Sequence, residues 1–94
     1  MELIKKLCDT YGPAGREANI RKLIESEIKN YCQDVQVDRL GNLIAHKPPV
    51  ASSHTKEDAE KIMFCAHMDE IGLIITHIDK NGFLRFTNVG GVFP

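Results

Sequence analysis

The chain has 94 residues, 43% hydrophobic and 27% charged, with a formal net charge of -1. That composition belongs to an ordinary globular domain or a piece of one, and the near-neutral balance gives no reason to expect nucleic acid or an acidic membrane as partner. No apolar run approaches the roughly 20 residues that cross a bilayer.

The N-terminus, Met1-Glu2-Leu3-Ile4-Lys5-Lys6, turns polar before the core of a signal peptide forms. Cys8, Cys32 and Cys65 are widely separated and make no CxxC pair, so they read as reduced thiols of a cytoplasmic protein. Leu3, Ile4, Leu7, Cys8 and Tyr11 recur at helical spacing. Gly12-Pro13-Ala14-Gly15 breaks that helix. A second helix is expected from about Glu17 to Tyr31, with Ile20, Leu23, Ile24, Ile28 and Tyr31 as its buried stripe. Glu17 in its first turn suits the helix dipole. Both helices read as packing elements.

Asp34 to Asp38 alternates, with Val35 and Val37 on one side. Leu40-Gly41-Asn42 turns the chain and Leu43-Ile44-Ala45 returns, which is a hairpin pattern. Lys47 to Glu60, with Pro48-Pro49 and Ser52-Ser53, reads as an exposed loop in which His54 is solvated. Lys61 to Ala66, around Ile62-Met63-Phe64, has the character of a buried strand. Leu73 to Ile78 and Phe83 to Asn88 form a second expected hairpin around Asp79-Lys80-Asn81-Gly82, because Asn-Gly between apolar runs is a strong turn signal. The final Gly90-Gly91-Val92-Phe93 resembles the approach to another strand, so the chain is expected to be the N-terminal part of a larger protein.

The chemistry concentrates in Cys65-Ala66-His67-Met68-Asp69-Glu70-Ile71-Gly72. In extended chain, residues two apart point the same way, so His67 and Asp69 can reach one site at a strand end. Imidazole binds zinc-like ions, and a neighbouring carboxylate orients the ring. A lone His-x-Asp also arises by chance, and one histidine does not hold a catalytic metal alone. A Cys65/His67/Asp69 site is conceivable, but Cys65 reads better as a small apolar residue ending the strand. Glu70 points elsewhere in the same geometry, as a salt-bridge partner or a solvated residue. His46 and His77 lack partners at ligand spacing.

Ala66-His67-Met68-Asp69-Glu70-Ile71-Gly72 resembles the signature of the M42 family of metallo-aminopeptidases. Gly12-Pro13-Ala14-Gly15-Arg16-Glu17 is similar to that family's turn into its second helix, and Val37-Asp38-Arg39-Leu40-Gly41-Asn42-Leu43-Ile44-Ala45 to its Asp-x-x-Gly-Asn hairpin. Asp79 to Phe86, followed by Gly90-Gly91, resembles the opening of its second domain. The resemblance covers nearly the whole chain except the loop at 47–60, which is longer than usual.

The resemblance implies an α/β fold: residues 1–70 begin an α/β/α zinc-exopeptidase-like catalytic domain, and residues 71–94 begin a β-barrel dimerisation domain. It implies two divalent metal ions, zinc or cobalt, in the full-length protein, with His67 as a metal ligand and Asp69 as the catalytic aspartate that orients it. The remaining ligands and the general base would lie downstream, leaving a partial site and an inactive 94-residue chain. The implied partners are a peptide substrate and further copies of the protein, from dimer to dodecamer. Two rival readings are a non-catalytic module that pairs through an exposed β edge and a glycoside hydrolase. The second needs two convergent acids, and the adjacent Asp69 and Glu70 point apart.

Overall fold

The computed structural model describes residues 1–49 and 60–91. Two helices are followed by two separate antiparallel hairpins. The first helix, α1 (Glu2–Asp9), is short and carries no buried residue. Tyr11 lies beyond it and is exposed. The second, α2 (Ala18–Ile28), buries Ile20, which is 4% exposed and forms the buried hydrophobic core of the described residues. Leu23, Ile24 and Ile28 are half-buried along the same stripe.

The stripe stops short of Tyr31, which is 71% exposed. The helix ends at Ile28, whose carbonyl accepts the N–H groups of Tyr31 and Cys32 at 2.8 and 3.1 Å. That tightened turn carries Tyr31 off the buried face. Lys6 reaches Glu27 at 3.6 Å and ties α1 to α2, although an exposed pair of this kind contributes little. The side chain of Glu17 caps the preceding turn by accepting the Gly15 N–H.

Strands β1 (Gln33–Val37) and β2 (Leu43–His46) pair antiparallel. Gln33 faces His46 and Gln36 faces Ile44, so β1 carries one extra residue. Asp34 absorbs this bulge with φ +51°, a left-handed conformation that aspartate tolerates better than most side chains. The strict alternation expected over 34–38 is therefore interrupted. Arg21 of α2 donates from Nη1 to the Gly41 carbonyl at 2.7 Å and ties the helix to the hairpin turn.

Strands β3 (Gly72–Ile78) and β4 (Leu84–Val89) form the second hairpin. Its register slips by one residue between Ile75 and His77. The slip places Leu73, Ile75 and Ile78 on the same face as Leu84 and Phe86. This apolar face is exposed throughout.

Both hairpin turns are built alike. Asp38 Oδ1 accepts the N–H groups of Leu40 and Asn42, each at 2.9 Å. Asp79 Oδ1 accepts those of Asn81 and Phe83, at 2.8 and 3.0 Å. Gly41 and Gly82 donate back to the two aspartate carbonyls at 3.1 Å and take the left-handed backbone, φ +91° and +88°. Asn81 does not share that conformation. Asn81-Gly82 is thus not the centre of a two-residue turn; the loop has three residues and closes on a left-handed glycine.

The strand expected at Lys61 to Ala66 is not formed. Residues 60–69 carry no regular structure, and Ile62, Met63 and Phe64 are 75%, 84% and 91% exposed. Cys65 is exposed as well and ends no buried strand. An apolar run becomes a strand only when another strand supplies its hydrogen bonds, and the four strands among the described residues pair within their own hairpins. His54 and residues 50–59 of the expected loop, like Val92 and Phe93, lie outside the described residues.

Asp38 gains further from Asn42, whose side-chain Nδ2 donates to Oδ2 at 2.8 Å. The Asn42 side-chain bond first, and then the bond from its backbone, hold the Asp38 carboxyl below its ordinary pKa. Stability from this turn is fully present above the ordinary aspartate range and is lost as pH falls through the depressed folded value. An NMR titration is expected to place the Asp38 midpoint below that of an unstructured aspartate, and Asn42→Ala is expected to raise it.

Candidate functional site

Residues 67–69 close the irregular segment, and Glu70 and Ile71 connect them to β3. The His67 imidazole is 87% exposed and the Asp69 side chain 44%. Nδ1 of His67 lies 3.0 Å from the Asp69 carbonyl oxygen and 3.3 Å from Asp69 Oδ1. Neither oxygen has a proton to give when the carboxylate is ionised, so Nδ1 is the donor. In the neutral ring this leaves the lone pair on Nε2, turned away from Asp69. The two residues are thus brought together, as a carboxylate-bound imidazole whose Nε2 has no hydrogen-bond partner among the described residues.

Glu70 is placed differently from either sequence expectation. Among the described residues it makes no salt bridge, and its carboxylate is bonded rather than merely solvated: Oε1 accepts the Gly12 N–H at 3.1 Å. Its backbone N–H donates to the Gly12 carbonyl at 3.0 Å, and its carbonyl accepts from Ala14 at 3.4 Å. Pro13 and Glu70 form a parallel bridge. The turn before α2 therefore seats the His67–Asp69 segment. The spacing within the sequence gives no sign of this pairing, which joins residues 58 positions apart.

A shallow surface depression lined by Tyr11, Gly15, Arg16, Glu17 and Arg21 includes none of these site residues. His46 and His77 are exposed within β2 and β3, facing Gln33 and Arg85 across their hairpins. Cys65 does not join His67 and Asp69 in a ligand set: among the described residues, no three His, Cys, Asp or Glu side chains converge to hold a metal ion. The donor chemistry at His67 fits one ligand position, an exposed nitrogen whose ring is fixed from the other side.

A small mixed α/β chain with an imidazole–carboxylate pair just ahead of a strand matches the N-terminal part of solved aminopeptidase structures. It superposes on the aminopeptidase APDkam598 from the archaeon Desulfurococcus kamchatkensis with a TM-score of 0.82 and 39% identity, covering 98% of this chain and 24% of that one. It superposes on PhTET1-12s, whose structure has a dodecamer in the asymmetric unit, with a TM-score of 0.76 and 43% identity, covering 98% of this chain and 26% of that one. A lysyl aminopeptidase of Pyrococcus furiosus is 44% identical over 94 residues, 99% of this chain and 25% of the relative. The sequence profile of the M42 glutamyl aminopeptidases matches residues 41–94, and the chain belongs to that family. It spans about a quarter of the length of its curated relatives.

Proposed function

We propose that this chain is the N-terminal part of a metal-dependent aminopeptidase that removes N-terminal residues from peptides. The observation that carries the reading is the His67 ring, held at Nδ1 by Asp69 with Nε2 open, in a member of the M42 family. In this reading His67 is one ligand of a two-metal centre of zinc or cobalt, and Asp69 fixes its orientation. Bound metals of this kind polarise a peptide carbonyl and lower the pKa of a bound water. The work of this chain's own residues is narrower: Asp69 sets the tautomer and direction of His67, and His67 presents Nε2. The other ligands and the general base come from the rest of the protein.

We further assign residues 1–70 to the catalytic domain and residues 71–94 to the start of a β-barrel dimerisation domain, in a homo-oligomer. The exposed apolar face of β3 and β4 supports this assignment, because a two-stranded hairpin of such composition needs cover. The glycoside hydrolase reading finds no support in the site. The Asp69 carboxylate lies against His67 and the Glu70 carboxylate against Gly12, so the two acids do not converge on a sugar.

The test is release of nitroaniline from aminoacyl-nitroanilides by the whole protein loaded with Zn²⁺ or Co²⁺. Turnover that needs both the metal and a free substrate amine is expected, with none from the isolated 94-residue chain. A loaded whole protein that ignores these substrates and N-terminally free peptides would overturn the reading.

A further inference from the structure

We propose that Glu70 is a positioning residue, which sets the direction of the His67 imidazole by clasping the Gly12-Pro13-Ala14 turn. This rests on the reading of His67 as a metal ligand. The segment leading into His67 has no regular structure, so the chain around His67 and Asp69 needs an anchor from elsewhere. Glu70 supplies it through three bonds to one turn: backbone to the Gly12 carbonyl at 3.0 Å, carbonyl from Ala14 at 3.4 Å, and carboxylate from the Gly12 N–H at 3.1 Å.

The seat itself is closely packed. Gly12 is buried against Ile20 of α2, and Gly72 approaches Pro13 so closely that an added Cβ would meet the Pro13 ring at 3.0 Å. The clasp therefore ties three things together: the helix through Ile20, the turn through Gly12 and Pro13, and the start of β3 through Gly72. Asp69 directs the His67 ring, and Glu70, the next residue, fixes the backbone from which Asp69 acts.

The side-chain bond needs reach rather than charge, because the Gly12 N–H requires only an oxygen acceptor at that distance. Glu70→Gln keeps the reach and loses the charge. Glu70→Asp keeps the charge and withdraws the oxygens by one methylene. Both substitutions leave the two backbone bonds of Glu70 to Gly12 and Ala14 in place, so both variants of the whole protein are expected to fold, which a melting curve checks.

Co²⁺ titration is read by the visible absorption of the bound ion, together with kcat and KM on an aminoacyl-nitroanilide. Glu70→Gln is expected to match the unaltered protein. Glu70→Asp is expected to lower Co²⁺ affinity or kcat by about 10-fold or more, as loss of support behind a ligand does, with a changed absorption spectrum and KM little altered. A purely structural role would move the melting temperature and leave the spectrum alone. Glu70→Asp at unaltered levels, or Glu70→Gln falling with it, overturns the proposal. His67→Ala in the same titration separates the two readings: if it leaves the Co²⁺ spectrum unchanged, the assignment of His67 has failed, whatever Glu70 does.

Discussion

His67→Ala in the whole protein is expected to remove bound metal and to lower kcat/KM by more than about 100-fold. The variant deletes the imidazole nitrogen that this stretch presents, and among the described residues no three His, Cys, Asp or Glu side chains converge to hold a metal ion. Asp69→Asn should be milder. The amide oxygen can still accept from Nδ1, and the Asp69 backbone carbonyl, closer to Nδ1 at 3.0 Å than Oδ1 at 3.3 Å, is untouched. The ring therefore keeps its tautomer but loses the negative charge that strengthens Nε2 as a donor. Losses of about 10–100-fold in metal affinity or activity are typical when such a supporting group is removed. Metal content after dialysis and kcat/KM for one aminoacyl substrate measure both variants. The expected order is unaltered protein, then Asp69→Asn, then His67→Ala. Equal metal content in all three proteins would show that His67 is not a ligand.

The pair His67–Asp69 was readable because a spacing of two residues is a local property: extended backbone brings the side chains to one side wherever the segment sits. The hairpin turns were readable for the same reason. Asp38 and Asp79 each organise the four residues that follow, and Gly41 and Gly82 take the left-handed backbone the turns demand. What escaped was settled at a distance. Ile62-Met63-Phe64 has the composition of a buried strand, yet composition does not supply a pairing partner, and the segment is exposed. For Glu70 the sequence suggests solvent or a salt bridge, because its partner, Gly12, is remote in sequence and offers a backbone N–H rather than a charge. The bulges at Asp34 and between Ile75 and His77 shift the faces of otherwise alternating strands, and alternation alone does not reveal an inserted residue.

Gly12→Ala is expected to destabilise the whole protein by roughly 1–3 kcal/mol, the usual cost of forcing extra volume into a packed site. Gly12 does not take the left-handed conformation, so the penalty arises from crowding rather than from the backbone. A Cβ built on Gly12 would lie 2.5 Å from Ile20 Cγ2 and 2.9 Å from Ile20 Cβ. Neither atom can swing aside: Cβ is fixed to the helix, and a β-branched side chain within a helix has one strongly preferred χ1 rotamer. The turn must therefore lift away from α2. Because the same glycine bonds Glu70 through both its N–H and its carbonyl, lifting the turn also loosens the segment that carries His67 and Asp69. Denaturant unfolding of Gly12→Ala, Ile20→Ala and the double variant measures the effect. Ile20→Ala removes Cγ2 but keeps Cβ, so the double variant should be less destabilised than the two single changes added together, since residues in contact couple. Strict additivity, or a Gly12→Ala cost below about 0.5 kcal/mol, the size of an ordinary surface substitution, would show that the contact between turn and helix is not tight and that α2 does not support the site through Gly12.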